Sequence, residues 1–161
     1  MRRRLEDPGV RIAGMRTPSG TGVANETVIF DVARTRGGAV GTTEGYVARL
    51  ATPDSLYLDY DLAVHYRMYE TMMAFPSVPT PGVLGYEADP GVVGAPFFVM
   101  EKIEGVIPTD RPSWATEGFI ADAEPAQRRA LWERTVRMMA ELHRLPHERF
   151  LFLRTGRAES G

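Results

Sequence analysis

Glycine and proline punctuate the first hundred residues so closely that only short strands and one modest helix fit between them. The breakers are Ser19-Gly20-Thr21-Gly22, Gly37-Gly38 through Gly41, Pro53, Pro76 and Pro79, Asp89-Pro90-Gly91, and Pro96. Thr27-Val28-Ile29-Phe30-Asp31-Val32 and Gly45-Tyr46-Val47-Ala48-Arg49-Leu50 are β-prone runs on either side of a glycine-rich connection, a pattern that predicts antiparallel pairing. Residues 1–10 read as an extension or a first edge element. After Pro53 the period changes. Leu62, Tyr66, Tyr69 and Met73 recur at helical spacing and share one face. Asp59 or Asp61 offers a carboxylate to the free N–H groups at the helix start, and Pro76 and Pro79, lacking a donor, end it. Val83-Leu84-Gly85-Tyr86 predicts a short strand. Phe97-Phe98-Val99-Met100 predicts another, a continuous apolar run held between Pro96 and the charged pair Glu101-Lys102.

Beyond residue 104 the character changes again. Residues 105–124 carry Gly105, Pro108, Pro112 and Gly118 and read as a linker. A helix is expected from about Pro125 to Leu145, with Leu131, Thr135, Met138 and Leu142 on one face and Trp132 and Met139 widening it. The order strand-strand-helix-strand-strand, linker, helix gives an α+β class with a boundary near residues 103–106.

Composition narrows the function. The 21 acidic and 19 basic side chains leave a formal net charge of −2, which gives no reason to expect nucleic acid or an anionic membrane as partner. There is no cysteine, so disulfides, thiolate nucleophiles and thiolate metal sites are excluded. His65, His143 and His147 show no H-x-x-x-H spacing, and no metal ligand is assigned. His143 reads as structural, an imidazole at the negative end of a helix. The basic start runs into Asp7-Pro8 rather than an apolar stretch, and no run approaches the roughly 18 apolar residues of a membrane span. A cytoplasmic protein is the expectation.

The run Gly94-Ala95-Pro96-Phe97-Phe98-Val99-Met100-Glu101-Lys102-Ile103-Glu104-Gly105 carries a family resemblance. It resembles the G-x-P-F-F-V-M-E-x-x-x-G hinge segment of the phosphotransferase-enzyme family, which includes the aminoglycoside phosphotransferases. It looks closest to the branch related to the kinase-like domain of some acyl-CoA dehydrogenase fusion proteins. Val78-Pro79-Thr80-Pro81-Gly82-Val83-Leu84 is similar to that branch's V-P-x-P-x-V-L, and Leu142-His143 to its L-x-x-L-H helix end. The resemblance runs from about residue 12 to residue 153.

The resemblance implies a protein-kinase-like fold, an antiparallel sheet plus one helix forming a nucleotide-binding N-lobe over residues 1–104. A hinge and linker would follow at 105–124, and the first helix of an incomplete helical lobe at 125–161. The family's catalytic loop, H-G-D-x-x-x-x-N, has no match in this sequence, nor has the acidic metal-binding segment after it. No catalytic residue is therefore assigned, and Mg²⁺ is expected only with that missing lobe.

The implied cofactor is ATP. Gly20-Thr21-Gly22-Val23-Ala24-Asn25 stands where the family has its loop over the phosphates, with Ala24 in place of the family's serine. Gly20, Gly22, Ala24 and Asn25 are the expected contacts there, since small residues let backbone N–H groups face oxyanions. Arg49 resembles the family's Lys or Arg on the third strand, a planar cation suited to clamp phosphate. Its partner on the helix aligns with His65, with Asp59, Asp61 and Glu70 as alternatives. Met100 falls behind adenine. The Glu101 C=O and the Ile103 N–H would bond the base, and Val47 or the strand near Ile29 would pack on it.

The resemblance implies the ATP-binding part of a kinase for a small-molecule hydroxyl, inactive as this chain alone. The alternative is a non-catalytic binding or regulatory module built on a lone N-lobe. Expected partners are the nucleotide and, through the wide apolar stripe of the last helix, a second copy or a separate chain supplying the helical lobe.

Overall fold

The computed structural model describes residues 10–18, 26–36, 39–52, 61–108 and 111–153. Five strands form one antiparallel sheet: β1 (Val10–Arg16), β2 (Glu26–Arg36), β3 (Ala39–Leu50), β4 (Val83–Glu87) and β5 (Phe97–Glu101), in the order β1-β2-β3-β5-β4. One helix, α1 (Leu62–Met72), lies between β3 and β4 in sequence, and a second, α2 (Pro125–His143), follows the sheet. A 3₁₀ segment, His147–Leu153, comes last. The α+β fold is an antiparallel sheet with one packed helix, then the start of a helical region.

The apolar run at Phe97–Met100 becomes the strand that β3 and β4 flank, which explains why it is apolar on both faces. On one face Val32, Tyr46, Phe97 and Val99 form a buried cluster, with Phe30, Ala48 and Leu50 packed against it. On the other face Phe98 is 0% exposed. The rings of Tyr66 and Tyr69 from α1 lie 6.0 Å from its ring, and Tyr66 lies 5.8 Å from Tyr86 of β4. Aromatic packing thus fixes α1 across one half of the sheet.

Of the two carboxylates expected at the start of α1, Asp61 is the cap. Its Oδ1 accepts from the Ala63 N–H at 2.8 Å and the Val64 N–H at 3.4 Å. Asp59 lies outside the described residues. Of the four residues expected on one helical face, Leu62 is buried but Met73 is 53% exposed, and the buried methionine is Met72. The helix ends at Met72, so Met73 caps it, and its sulfur accepts the Val83 N–H at 3.5 Å.

The β2–β3 hairpin is longer than its apolar runs. Polar, exposed Thr43 and Glu44 extend it, paired with half-buried Ala33 and buried Val32. β1 is a further strand, bulged against β2 between Ala13 and Arg16. Gly14 in that bulge has φ 62°, and a Cβ there would sit 2.8 Å from Asp31 Oδ2. Only glycine fits.

Helix α2 begins at Pro125 with a reciprocal cap between Glu124 and Gln127. It buries no residue, and Leu131, Trp132, Met138, Met139 and Leu142 are exposed. The 3₁₀ segment turns back to α1: Phe150 lies 6.0 Å from Phe75, and the Arg67 guanidinium sits 4.4 Å over Phe152.

Candidate nucleotide-binding site

Strand register assembles the site. Side chains directly opposite one another in an antiparallel pair share a face. Ile29 of β2 stands opposite Val47 of β3, and Val47 opposite Met100 of β5, so the three form an apolar row across three strands. One step along, Thr27, Arg49 and Phe98 form the next row on the same face. One step the other way lie Asp31 and Gly45, where a Cβ on Gly45 would meet Lys102 Cδ at 2.9 Å. The Lys102 stem therefore occupies the space that a side chain at 45 would take. Sequence reasoning passed over Lys102, because only the register shows what Gly45 leaves room for.

Arg49 lies where this face meets α1. Its Nε is buried and has no hydrogen-bond partner among the described residues. A buried, unpaired guanidinium N–H is costly unless an acceptor arrives. Asp61 is committed to the cap of α1, and Glu70 accepts from the Tyr66 hydroxyl at 3.0 Å. Neither makes an ion pair with Arg49.

His65 precedes Tyr66 on the helix that covers Phe98, and it is half-buried. Burial pushes its pKa below the ordinary histidine value, and the nearby positive charge of Arg49 pushes the same way. The imidazole is therefore neutral at neutral pH.

At the end of β5 the chain is pinned from both sides. The Glu101 N–H donates to the Gly82 carbonyl at 2.8 Å, and Glu101 Oε2 accepts the Gly82 N–H at 3.1 Å. The Lys102 N–H donates to the Gly45 carbonyl at 3.0 Å, and its Nζ pairs with Glu104. The chain then leaves the sheet. Ile103 is 66% exposed, and no hydrogen bond among the described residues uses its N–H. The sequence singled out Glu101 for its carbonyl. Its carboxylate, closing on Gly82, was the part not anticipated.

Gly20, Gly22, Ala24 and Asn25 lie outside the described residues. Val47, Arg49 and Met100 share one face, His65 lies within reach of the charge of Arg49, and Glu101 and Ile103 lead off the sheet beside Met100. This is an open face. Of two hollows elsewhere, one is lined by Phe119, Ala123, Arg128 and Leu131, and the other by Met72, Met73, Pro79, Gly82 and Glu101. Neither contains Arg49, Val47 or Met100. Among the described residues no three His, Asp or Glu side chains group as a metal site, and no helix is long and apolar enough to cross a membrane.

The model of the phosphotransferase enzyme family matches residues 24–159. The chain belongs to the phosphotransferase enzyme family. The match begins at Ala24, after Gly20 and Gly22, and takes in the whole of β2, β3, α1, β4, β5 and α2. Members of this family draw phosphate from ATP with Mg²⁺. The chain is also similar to a protein of Arabidopsis thaliana named as a probable acyl-CoA dehydrogenase, IBR3. It is 26% identical over 125 residues, covering 77% of this chain and 14% of that protein. The chain thus spans a small part of the length of that relative.

The face fits the triphosphate end of such a nucleotide in one specific respect. The buried Arg49 Nε needs an acceptor that the described residues do not supply, and phosphate oxygens are acceptors for which guanidinium has the matching geometry.

Proposed function

We propose that this chain is the ATP-binding portion of a cytoplasmic phosphotransferase that passes phosphate to the hydroxyl of a small molecule. Residues 1–104 form its N-lobe, 105–124 its hinge and linker, and 125–161 the beginning of a helical lobe. Ile29, Val47 and Met100 pack on adenine, the Glu101 C=O and Ile103 N–H bond its edge, and Arg49 takes the phosphates beside His65. Gly20, Gly22, Ala24 and Asn25 serve the phosphate loop. The observation that carries this reading is the unpaired, buried Nε of Arg49 on the same face as the Val47–Met100 row.

ATP supplies the transferable phosphoryl group when bound. This chain's own residues bind and orient it, with neither an acceptor-activating residue nor Mg²⁺ ligands among them. The exposed apolar face of α2 supports a further part of the proposal, an association with a second copy or with polypeptide supplying the rest of the helical lobe. A thermal-shift titration tests the nucleotide reading. ATP should raise the melting temperature in a saturable way, and a flat response to millimolar ATP would refute it.

The alternative reading, a non-catalytic binding or regulatory module, is favoured by one observation: the 161 residues contain no H-G-D-x-x-x-x-N segment. On either reading, these residues alone transfer no phosphate.

A further inference from the structure

Among the described residues, the phosphate end of this face has no carboxylate paired with Arg49. Arg49 makes no ion pair with a described residue, and the acidic side chains of α1 are engaged elsewhere, Asp61 as cap and Glu70 with Tyr66. The residues opposite Arg49 on β2 and β5 are Thr27 and Phe98, and β4 contributes Tyr86 to this face. The other charged groups on the described sheet face are Arg16 of β1, opposite Ile29 in the row next to Arg49, Asp31 and Lys102, two rows away beyond Val47 with Lys102 paired to Glu104, and Arg11, opposite Ala33 and farther still. Arg67, also on α1, is turned to Phe152 of the 3₁₀ segment, whose His147 and Glu148 pair with each other. Asp54 and Asp59 lie outside the described residues.

We infer that His65, one residue before the tyrosine that packs on Phe98, is the second cation of the phosphate site, so that polyphosphate binding tightens as the pH falls. The inference rests on the nucleotide reading above. A carboxylate at position 65 would neutralise Arg49 and leave one net positive charge fewer for an anion to meet. For a histidine there the proton is disfavoured while the site is empty, by its burial and by the charge of Arg49. A phosphate oxygen between the two groups reverses that balance, favouring the charged imidazole and offering it a charge-assisted hydrogen bond. Binding therefore takes up a proton, and by linkage affinity rises with acidity over the range in which His65 is neutral free and protonated when bound.

Calorimetric titrations of ATP and adenosine at about pH 8 and about pH 6, on the unaltered chain, His65→Gln and Arg49→Ala, test this. ATP protonates over the same range, so the His65→Gln titration supplies the reference. The unaltered chain should gain about fivefold more in ATP affinity than His65→Gln does between the two pH values, from one added charge-assisted hydrogen bond. In buffers of different ionisation enthalpy it should also show proton uptake beyond that of the variant. Adenosine should show no such difference. Equal pH dependence in the two proteins, with ATP binding still lost in Arg49→Ala, would overturn the role of His65 and leave the nucleotide reading standing. ATP binding that ignores Arg49→Ala would overturn both.

Discussion

Arg49 on β3 stands directly opposite Phe98 on β5, so the fully buried ring that anchors α1 also fixes the position of the cation proposed as the phosphate clamp. Fold and site meet at this cross-strand pair. Packing of Tyr66 and Tyr69 on Phe98 sets where α1 runs, and α1 in turn carries His65 to Arg49.

Phe98→Ala should therefore cost about 3–5 kcal/mol of stability, the range for emptying a buried phenylalanine site. Chemical denaturation monitored by circular dichroism measures it. A loss below about 1 kcal/mol would mean that α1 is held by something other than this ring.

Glu101 clasps Gly82 through both its backbone and its carboxylate. Glu101→Ala removes the side-chain half and should cost about 1 kcal/mol, the net worth of one hydrogen bond. Adenosine affinity should fall with it, since the hinge carbonyl and the Ile103 N–H lose a fixed support. An unchanged denaturation midpoint and unchanged adenosine affinity would reduce the clasp to a surface contact.

Helix α2 buries none of its residues. Changing Leu131, Met138 and Leu142 together to Lys should leave the stability of the sheet within about 0.5 kcal/mol for each substitution, as for surface positions. Sedimentation of the same variant should show a larger monomer fraction if copies of the chain associate through this face. Global unfolding of the variant would show instead that the helix is core.

Much of this architecture is legible in the sequence because local signals and tertiary demands coincide. Phe97–Met100 is apolar because both its faces are covered, and Asp61 stands where α1 needs an acceptor. Other features carry no local signal. In β1 all but the first residue are exposed, so no alternation marks it, and the extension of the hairpin through Thr43 and Glu44 is held by backbone pairing and by the contacts of Glu44 with the Tyr46 hydroxyl and Arg34, none of which periodicity reveals. Whether Met72 or Met73 is buried depends on the turn at which α1 stops, which periodicity cannot fix to one residue. The packing of Phe150 and Phe152 on α1 joins segments about eighty residues apart and exists only in the folded chain. The site divides in the same way. Arg49 and Met100 are candidates in the sequence through the family resemblance of the third strand and the hinge run. That neither Asp61 nor Glu70 pairs with Arg49 emerges only once both are seen bonded elsewhere.

The central claim is that Arg49 is a phosphate clamp rather than a strand-end cation turned to solvent. Calorimetry of ATP and of adenosine against the unaltered chain and Arg49→Ala tests it most directly. Loss of a charge-assisted contact worth about 1.5–3 kcal/mol should weaken ATP by about ten- to a hundredfold while adenosine changes by less than about twofold. Equal losses for the two ligands, or none for either, would contradict the account.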